Sequence, residues 1–451
     1  MSVVLSISLI LFSILLEIYF AIKGPLLRLM NIVYLLYIYL LRPVAIILLS
    51  GSILYPKEFD VNTYKMAWLL AAISIICENI GYYLTFPRMK FLKKDFETRN
   101  VNITQRFGTI ERYAVWLIVF SLVFVLLMFA TTGTSFLAHN RRVAMAAVNP
   151  ILRYLYPFVQ LSAALLGFIG LIQLMFLKEK LKGIITFFLG VLFTMIVYQR
   201  GMMVSFVMLA FFVALDFFRI NRRIVKEKSI LKFLLVILLL FFILVLLRDI
   251  YNLIFSGQFI LLKIFKESES GENPILLLLA SRPDGDVLEV WTILFGYLSE
   301  NRPLLGRSLI NIPFALTSSN FRLSSGYKLG VDILNEHYDY DTYWYRKFGF
   351  NLNSIQEMVL NFHVTGILFG FLLGLFRGVL TSWYYRRVFF YGDPTKATLY
   401  YQGISYFLSA FNAFHWMCFY VMFAEILSIL SKLKLHSKPH SRIKSKEESA
   451  T

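Results

Sequence analysis

The sequence predicts an all-α, polytopic membrane protein of about eleven transmembrane helices with one large extracytoplasmic loop. Three observations predict it. First, 58% of the 451 residues are hydrophobic and only 16% are charged, where a soluble chain carries nearer a quarter charged. Second, the apolar residues fall in runs close to the ~20 residues that a helix needs to cross a bilayer core. Third, the basic residues behind the net charge of +18 sit between those runs, as cytoplasmic loops of membrane proteins do. That placement explains the charge without any nucleic-acid partner.

The spans read, in order, as 2–22, 31–54, 64–86, 113–133, 154–177, 183–198, 202–218, 231–250, 355–376, 398–412 and 416–431. The first has no basic residue before Lys23 and no small-residue cleavage site. It is therefore expected to be an uncleaved helix with its N-terminus outside. Gln199-Arg200-Gly201 divides two apolar runs, because a bare arginine is costly in lipid. The last two spans form one apolar run divided at His415. With this parity, inner loops 23–30, 87–112, 178–182, 219–230, 377–397 and the tail 432–451 hold 27 Lys and Arg in 92 residues. The outer loops 55–63, 134–153, 199–201, 251–354 and 413–415 hold 14 in 139. The inner density is roughly threefold higher, as the positive-inside rule asks. Four regions follow: 1–250 with helices one to eight, the outer loop 251–354, 355–431 with helices nine to eleven, and a basic cytoplasmic tail, 432–451.

The outer loop of about 104 residues is too long for a mere connection. Its apolar stretches, ILLLLA at 275–280 and VWTILFGYL at 290–298, are too short to span. They are expected to be helices lying on the membrane or dipping into it. The inner segment 377–397 mixes Arg with aromatics and reads as an interfacial amphipathic anchor. Cys77 and Cys418 lie inside apolar runs and are expected as buried thiols.

Glu17, Arg42, Glu78, Asp216, Glu357 and Glu425 fall within spans, where charges find partners. Arg42 is expected to pair with Glu17 or Glu78. Asp216 lies near an inner helix end and needs no special explanation. Glu357 follows the outer loop directly, where an extracytoplasmic site would stand. At the outer face come Arg141 and Arg142 in AHNRR, Arg200 in YQRGM and Arg282 in ASRPDGD. Arginine stays charged and grips diphosphate oxygens with a planar fork, although each could also anchor to lipid phosphates. Asp284 and Asp286 have the spacing of a metal-binding pair, but Gly285 between them reads more simply as a turn. Asp339 and Asp341 read as a solvated run. The histidines suggest no metal ligation, while His139 beside Asn140-Arg141-Arg142 could act as a base. No Walker A motif, glycine-rich dinucleotide fingerprint or HExxH motif occurs, and the halves show no obvious symmetry.

The stretch NLNSIQEMVLNFHVTGILFGFLLGLFRG, residues 351–378, resembles the O-antigen (Wzy-type) polymerase family. Asn351, Ser354 and Glu357 match that family's N-x-S-x-x-E segment. Asn361, Phe362 and Gly366 match its N-F-G-x-x-G turn, with His363 where the family usually has glycine. Upstream, Gly306, Ser308, Ile312 and Pro313 resemble its G-x-S…I-P stretch, with Phe314 in place of a basic residue. The resemblance implies a GT-C-like glycosyltransferase in the bacterial cytoplasmic (inner) membrane. It would join oligosaccharide repeat units carried on undecaprenyl diphosphate into O-antigen or a related surface polysaccharide. Because the leaving group is the lipid diphosphate, it implies no cofactor. Membrane lipid and a chain-length regulator protein are the further partners it suggests. Arg200, Arg282 and Arg141 or Arg142 would stabilise the diphosphate. Glu357, Asp284, Asp286, Glu289 and His139 are the candidate bases. An O-antigen ligase and a polysaccharide-lipid transporter or flippase are the alternatives.

Overall fold

The computed structural model describes residues 2–49, 61–99, 110–132, 150–176, 180–197, 200–220, 276, 287–317, 324–337, 352–391 and 393–432. Among the described residues the chain is helical and contains no strand. The helices are α1 (Ser2–Lys23), α2 (Leu26–Leu48), α3 (Val61–Thr85), α4 (Met89–Arg99), α5 (Ile110–Thr132), α6 (Pro150–Phe176) and α7 (Lys180–Ile196). They continue as α8 (Arg200–Ile220), α9 (Val287–Glu300), α10 (Gly330–His337), α11 (Ser354–Phe362), α12 (Phe369–Arg386), α13 (Pro394–Ser409) and α14 (Phe414–Lys432). Eight helical stretches among the described residues are long and apolar enough to cross a membrane. The expected spans 183–198 and 398–412 correspond to the shorter α7 and α13. The expected span 231–250 lies outside the described residues.

The local sequence explains several boundaries. Asn353 caps α11, accepting from the Gln356 N–H (2.8 Å), while the Gln356 side chain accepts from the Asn353 N–H (2.8 Å). This capping box satisfies two otherwise orphaned donors. Asp393 caps α13 by accepting from the Thr395 and Lys396 N–H groups, and Pro394 occupies the first helical position, where its missing N–H costs nothing. The division expected at His415 falls slightly earlier, at Ala410, followed by the short 3-10 turn Phe411–Ala413.

Within α2, residues Leu35–Leu41 wind as a π-helix that ends where Arg42-Pro43 begins a regular turn. Pro43 has no N–H to give the carbonyl one turn back, that of Tyr39. Trp68 Nε1 of α3 donates to this carbonyl at 2.8 Å, so a polar backbone group that lipid could not serve finds a protein partner. The junction of α7 and α8 uses the same device. The Val197 carbonyl accepts from the Tyr156 hydroxyl and from Gln160 Nε2, both on α6. The division expected at Gln199-Arg200-Gly201 is thus built into the bundle.

The packing sorts the helix ends into two sets. Asp216 of α8 accepts from the Leu26 N–H at 2.9 Å and from the Tyr385 hydroxyl at 2.7 Å. Arg219 donates to the carbonyls of Ala21, Ile22 and Gly24. Tyr113 donates to Asp393. All these residues stand at or near ends read as inner. At the opposite end, Arg42 meets Glu289, and Ser354 reaches Phe407 O. The helix ends thus gather in two sets, as alternate crossings of a membrane require. A periplasmic reporter fused near residue 320 is expected to be active, and an inactive fusion would reverse the orientation.

Several expectations need correction. Asp216 is fully buried and joins three segments, because a carboxylate at a packed helix junction must collect donors. The segment 290–298 is helical as expected, and of the two settings expected it is inserted among other helices rather than laid on a surface. It is the middle of α9, with Leu288, Trp291, Leu294 and Leu298 all buried in a core shared with α2, α3 and α11. The segment 377–397 is not a loop anchor: α12 runs through to Arg386, a π-helical turn follows to Tyr391, and Tyr384, Tyr385, Val388 and Phe389 are buried. Both cysteines are free but only partly buried.

The α3–α12 pair packs backbone to backbone. Gly370, Gly374 and Gly378 lie four residues apart on one face of α12. A methyl group on Gly374 would stand 2.0 Å from the Glu78 carbonyl, and one on Gly81 of α3 would stand 1.9 Å from that of Phe371. Small residues at i, i+4 and i+8 let two backbones touch, which is the main way helices attract in lipid.

Candidate active site

The candidate site is built around Glu357, on the first turn of α11. The side chain is buried, with 5% of the residue exposed. The Ser308 hydroxyl donates to Glu357 Oε1, and the Gly330 N–H donates to the same oxygen at 3.2 Å. One turn on, Asn361 Nδ2 donates to Ser308 Oγ and to the Glu357 carbonyl, each at 2.7 Å. One carboxylate thus ties α11 to the turn at Ser308 and to the start of α10.

The backbone around Ser308 explains how it arrives there. Leu304 and Leu305 donate their N–H groups to the carbonyls of Leu360 and Asn361, at 3.1 and 2.9 Å. Those carbonyls end α11 and would otherwise lack partners. Gly306 then takes φ +88°, a left-handed value that glycine adopts without cost. The chain reverses into the turn Arg307–Ile310, which brings Ser308 onto Glu357. The quoted residues Ser308, Glu357 and Asn361 therefore form one hydrogen-bonded unit, which the turn at Gly306 makes possible. Gly330 belongs to it as well and was not singled out. A methyl group there would stand 2.5 Å from a Glu357 oxygen, so its N–H reaches the carboxylate only because the residue is glycine.

His363 ends α11 with φ +57° and ψ −155°. That region is essentially reserved for glycine, and a side chain held there costs about 1–3 kcal/mol. The position explains why a glycine suits an N-F-G-x-x-G turn and identifies His363 as a strained departure. Its side chain is exposed and makes no hydrogen bond among the described residues.

Glu289 lies on the first turn of α9, 3% exposed. Arg42 grips both its oxygens, at 2.8 and 2.7 Å. This corrects the pairing expected for Arg42. Glu17 instead binds Arg28, whose Nε donates at 2.6 Å and whose guanidinium lies 4.0 Å from the centre of the Tyr82 ring. Glu78 binds Arg377 of α12. Glu425 accepts from Lys396 and Tyr400 at an exposed position. Each acid takes the nearest cation that packing supplies, because an unpaired buried charge is expensive.

Arg200 is the first residue of α8, directly beyond the Val197 carbonyl held by α6. Asp284, Asp286, Arg282, His139, Arg141 and Arg142 lie outside the described residues, as do Asp339 and Asp341. Among the described residues no group of three His, Cys, Asp or Glu side chains gathers to hold a metal ion. Comparisons with protein-family models, with curated proteins and with solved structures returned no match to this chain.

Proposed function

We propose that the protein is a membrane glycosyltransferase that polymerises oligosaccharide units carried on undecaprenyl diphosphate, at the outer face of a bacterial cytoplasmic membrane. The observation that carries the reading is the Ser308–Glu357–Asn361 cluster. These residues come from two stretches some 50 positions apart, each resembling the same polymerase family, and they bond directly to one another. Two unrelated coincidences of sequence would have no reason to meet.

In this reading Arg200, with Arg282 and the Arg141-Arg142 pair, stabilises charge developing on the departing lipid diphosphate. A base removes the proton from the attacking sugar hydroxyl. Glu289 and Glu357 are committed to internal partners, so we assign them to holding the outer-end helices together. The base role then passes to Asp284, Asp286 or His139.

The surface-polymer profile of a deletion strain tests the reading. A polymerase leaves single repeat units attached to lipid A and removes long chains. A ligase removes attachment altogether, and a flippase strands lipid-linked units at the inner leaflet; either result refutes the polymerase. In a complemented strain, Arg200→Ala and Arg282→Ala are each expected to abolish long chains at normal protein level. Wild-type chain lengths in both would remove the diphosphate clamp.

A further inference from the structure

The face of α12 turned away from α3 changes character along its length. Leu372, Phe376 and Val379 recur at helical spacing and are all exposed, while Gly370, Gly374 and Gly378 pack on α3 behind them. One turn on, Trp383 continues the stripe, half-buried and edge-on to the Tyr400 ring. Arg386 and Arg387 follow, both exposed, and a π-helical turn carries the chain to Tyr391, exposed as well. Val379, Trp383, the two arginines and Tyr391 line a hollow of about 470 Å³, the size of a small-molecule site. Among the described residues lining it none is acidic.

The order of these groups is that of a phospholipid. The exposed apolar stripe suits acyl chains, and tryptophan belongs where chains meet headgroups. Two neighbouring guanidinium groups suit a phosphate, whose oxygens each can grip with a planar fork. The lengths agree as well. From Leu372 to Arg386 the helix rises about 21 Å at ~1.5 Å per residue, enough to cross one leaflet, about 15 Å of hydrocarbon. The surrounding charge points the same way. Met89 and Leu92 of α4 pack in the core that holds Val388 and Phe389, so α4 lies at this end, and its Lys90 and Lys94 are exposed. Glu425 is engaged by Lys396, and Asp393 by the α13 cap and Tyr113. A zwitterionic headgroup would bring a further cation into this basic field. A soluble anion would leave the apolar stripe unused.

We propose that this hollow is a binding site for an anionic phospholipid. Arg386 and Arg387 hold its phosphate, Trp383 meets its glycerol, and its acyl chains run along Val379, Phe376 and Leu372. The site stands at the end of α12 remote from Glu357 and does not depend on the function proposed above.

The test places the purified full-length chain in vesicles of phosphatidylcholine and phosphatidylglycerol, one or the other with brominated chains, and reads the quenching of tryptophan fluorescence. Six tryptophans emit, and subtracting the Trp383→Phe spectrum isolates Trp383. Brominated phosphatidylglycerol is expected to quench Trp383 at about a tenfold lower share of the lipid than brominated phosphatidylcholine, the scale of advantage that two basic groups at a membrane surface give. Arg386→Gln with Arg387→Gln, at exposed positions, is expected to remove that preference. Lys90→Gln with Lys94→Gln removes equal charge from the same end and is expected to weaken it by no more than about twofold, through the screened field alone. Millimolar inorganic phosphate is expected to leave the quenching unchanged. Equal quenching by the two lipids in the wild type would overturn the proposal. So would an unchanged preference in the arginine variant, an equal loss in the lysine variant, or displacement by inorganic phosphate.

Discussion

Arg42→Ala is expected to destabilise the protein by about 3–5 kcal/mol, the usual loss when one partner of a buried ion pair is removed. Glu289 is 3% exposed and both its oxygens face Arg42. The alanine strips a buried carboxylate of the guanidinium that grips both its oxygens. The pair also spans 247 positions of sequence and fixes α9 to α2, so the outer-end core should loosen as a unit. The double change Arg42→Met with Glu289→Leu is expected to restore most of the loss, because two apolar side chains of similar bulk carry no desolvation cost. Thermal unfolding in detergent reads both. A loss below about 1 kcal/mol in the single variant would mean that the pair behaves like a solvent-exposed bridge, contrary to its burial.

The same pair shows where a sequence can and cannot be read. The spans were legible because lipid imposes a length and an apolar composition that no packing detail can relax. The α7–α8 division was legible because a lone arginine marks it. Partner choice was not legible. Glu17, Glu78 and Glu289 offer the same chemistry, and only the depth and rotation of their helices decide which cation each meets. Glu289 was further hidden by its setting, since α9 lies in a segment expected to lie on the membrane or dip into it, yet it packs as core with two spanning helices. Its continuous apolar character was the available signal, because a helix lying at an interface should show one polar face. At the candidate site, the resemblance pointed to Ser308, Glu357 and Asn361. Their direct contact depends on Gly306 turning the chain and Gly330 admitting it, and neither consequence is written in spacing alone.

Gly374→Leu is expected to cost more than about 3 kcal/mol, at or beyond the upper end of ordinary overpacking. Its Cβ alone would enter the Glu78 carbonyl, and Gly370 and Gly378 on the same stripe face Ser74 and Thr85 at 2.8 and 2.1 Å from such a Cβ. The added side chain has no rotamer that clears α3, so the two helices must separate. Separation then breaks polar contacts that depend on closeness: Arg377 with Glu78, and the Thr85 hydroxyl with the Leu375 carbonyl at 2.9 Å. Lipid offers no hydrophobic penalty for parting two apolar helices, so lost backbone contact has no substitute. Phe376→Leu supplies the control. That side chain is 57% exposed and should shift stability by no more than about 0.5 kcal/mol. The contrast between neighbouring positions on one helix is the measurement that matters. Equal effects at 374 and 376 would show that α12 is held by its general apolarity. A collapse at 374 alone would show that the G-x-x-x-G-x-x-x-G spacing itself joins the outer-end turn carrying Glu357 and His363 to the rest of the bundle.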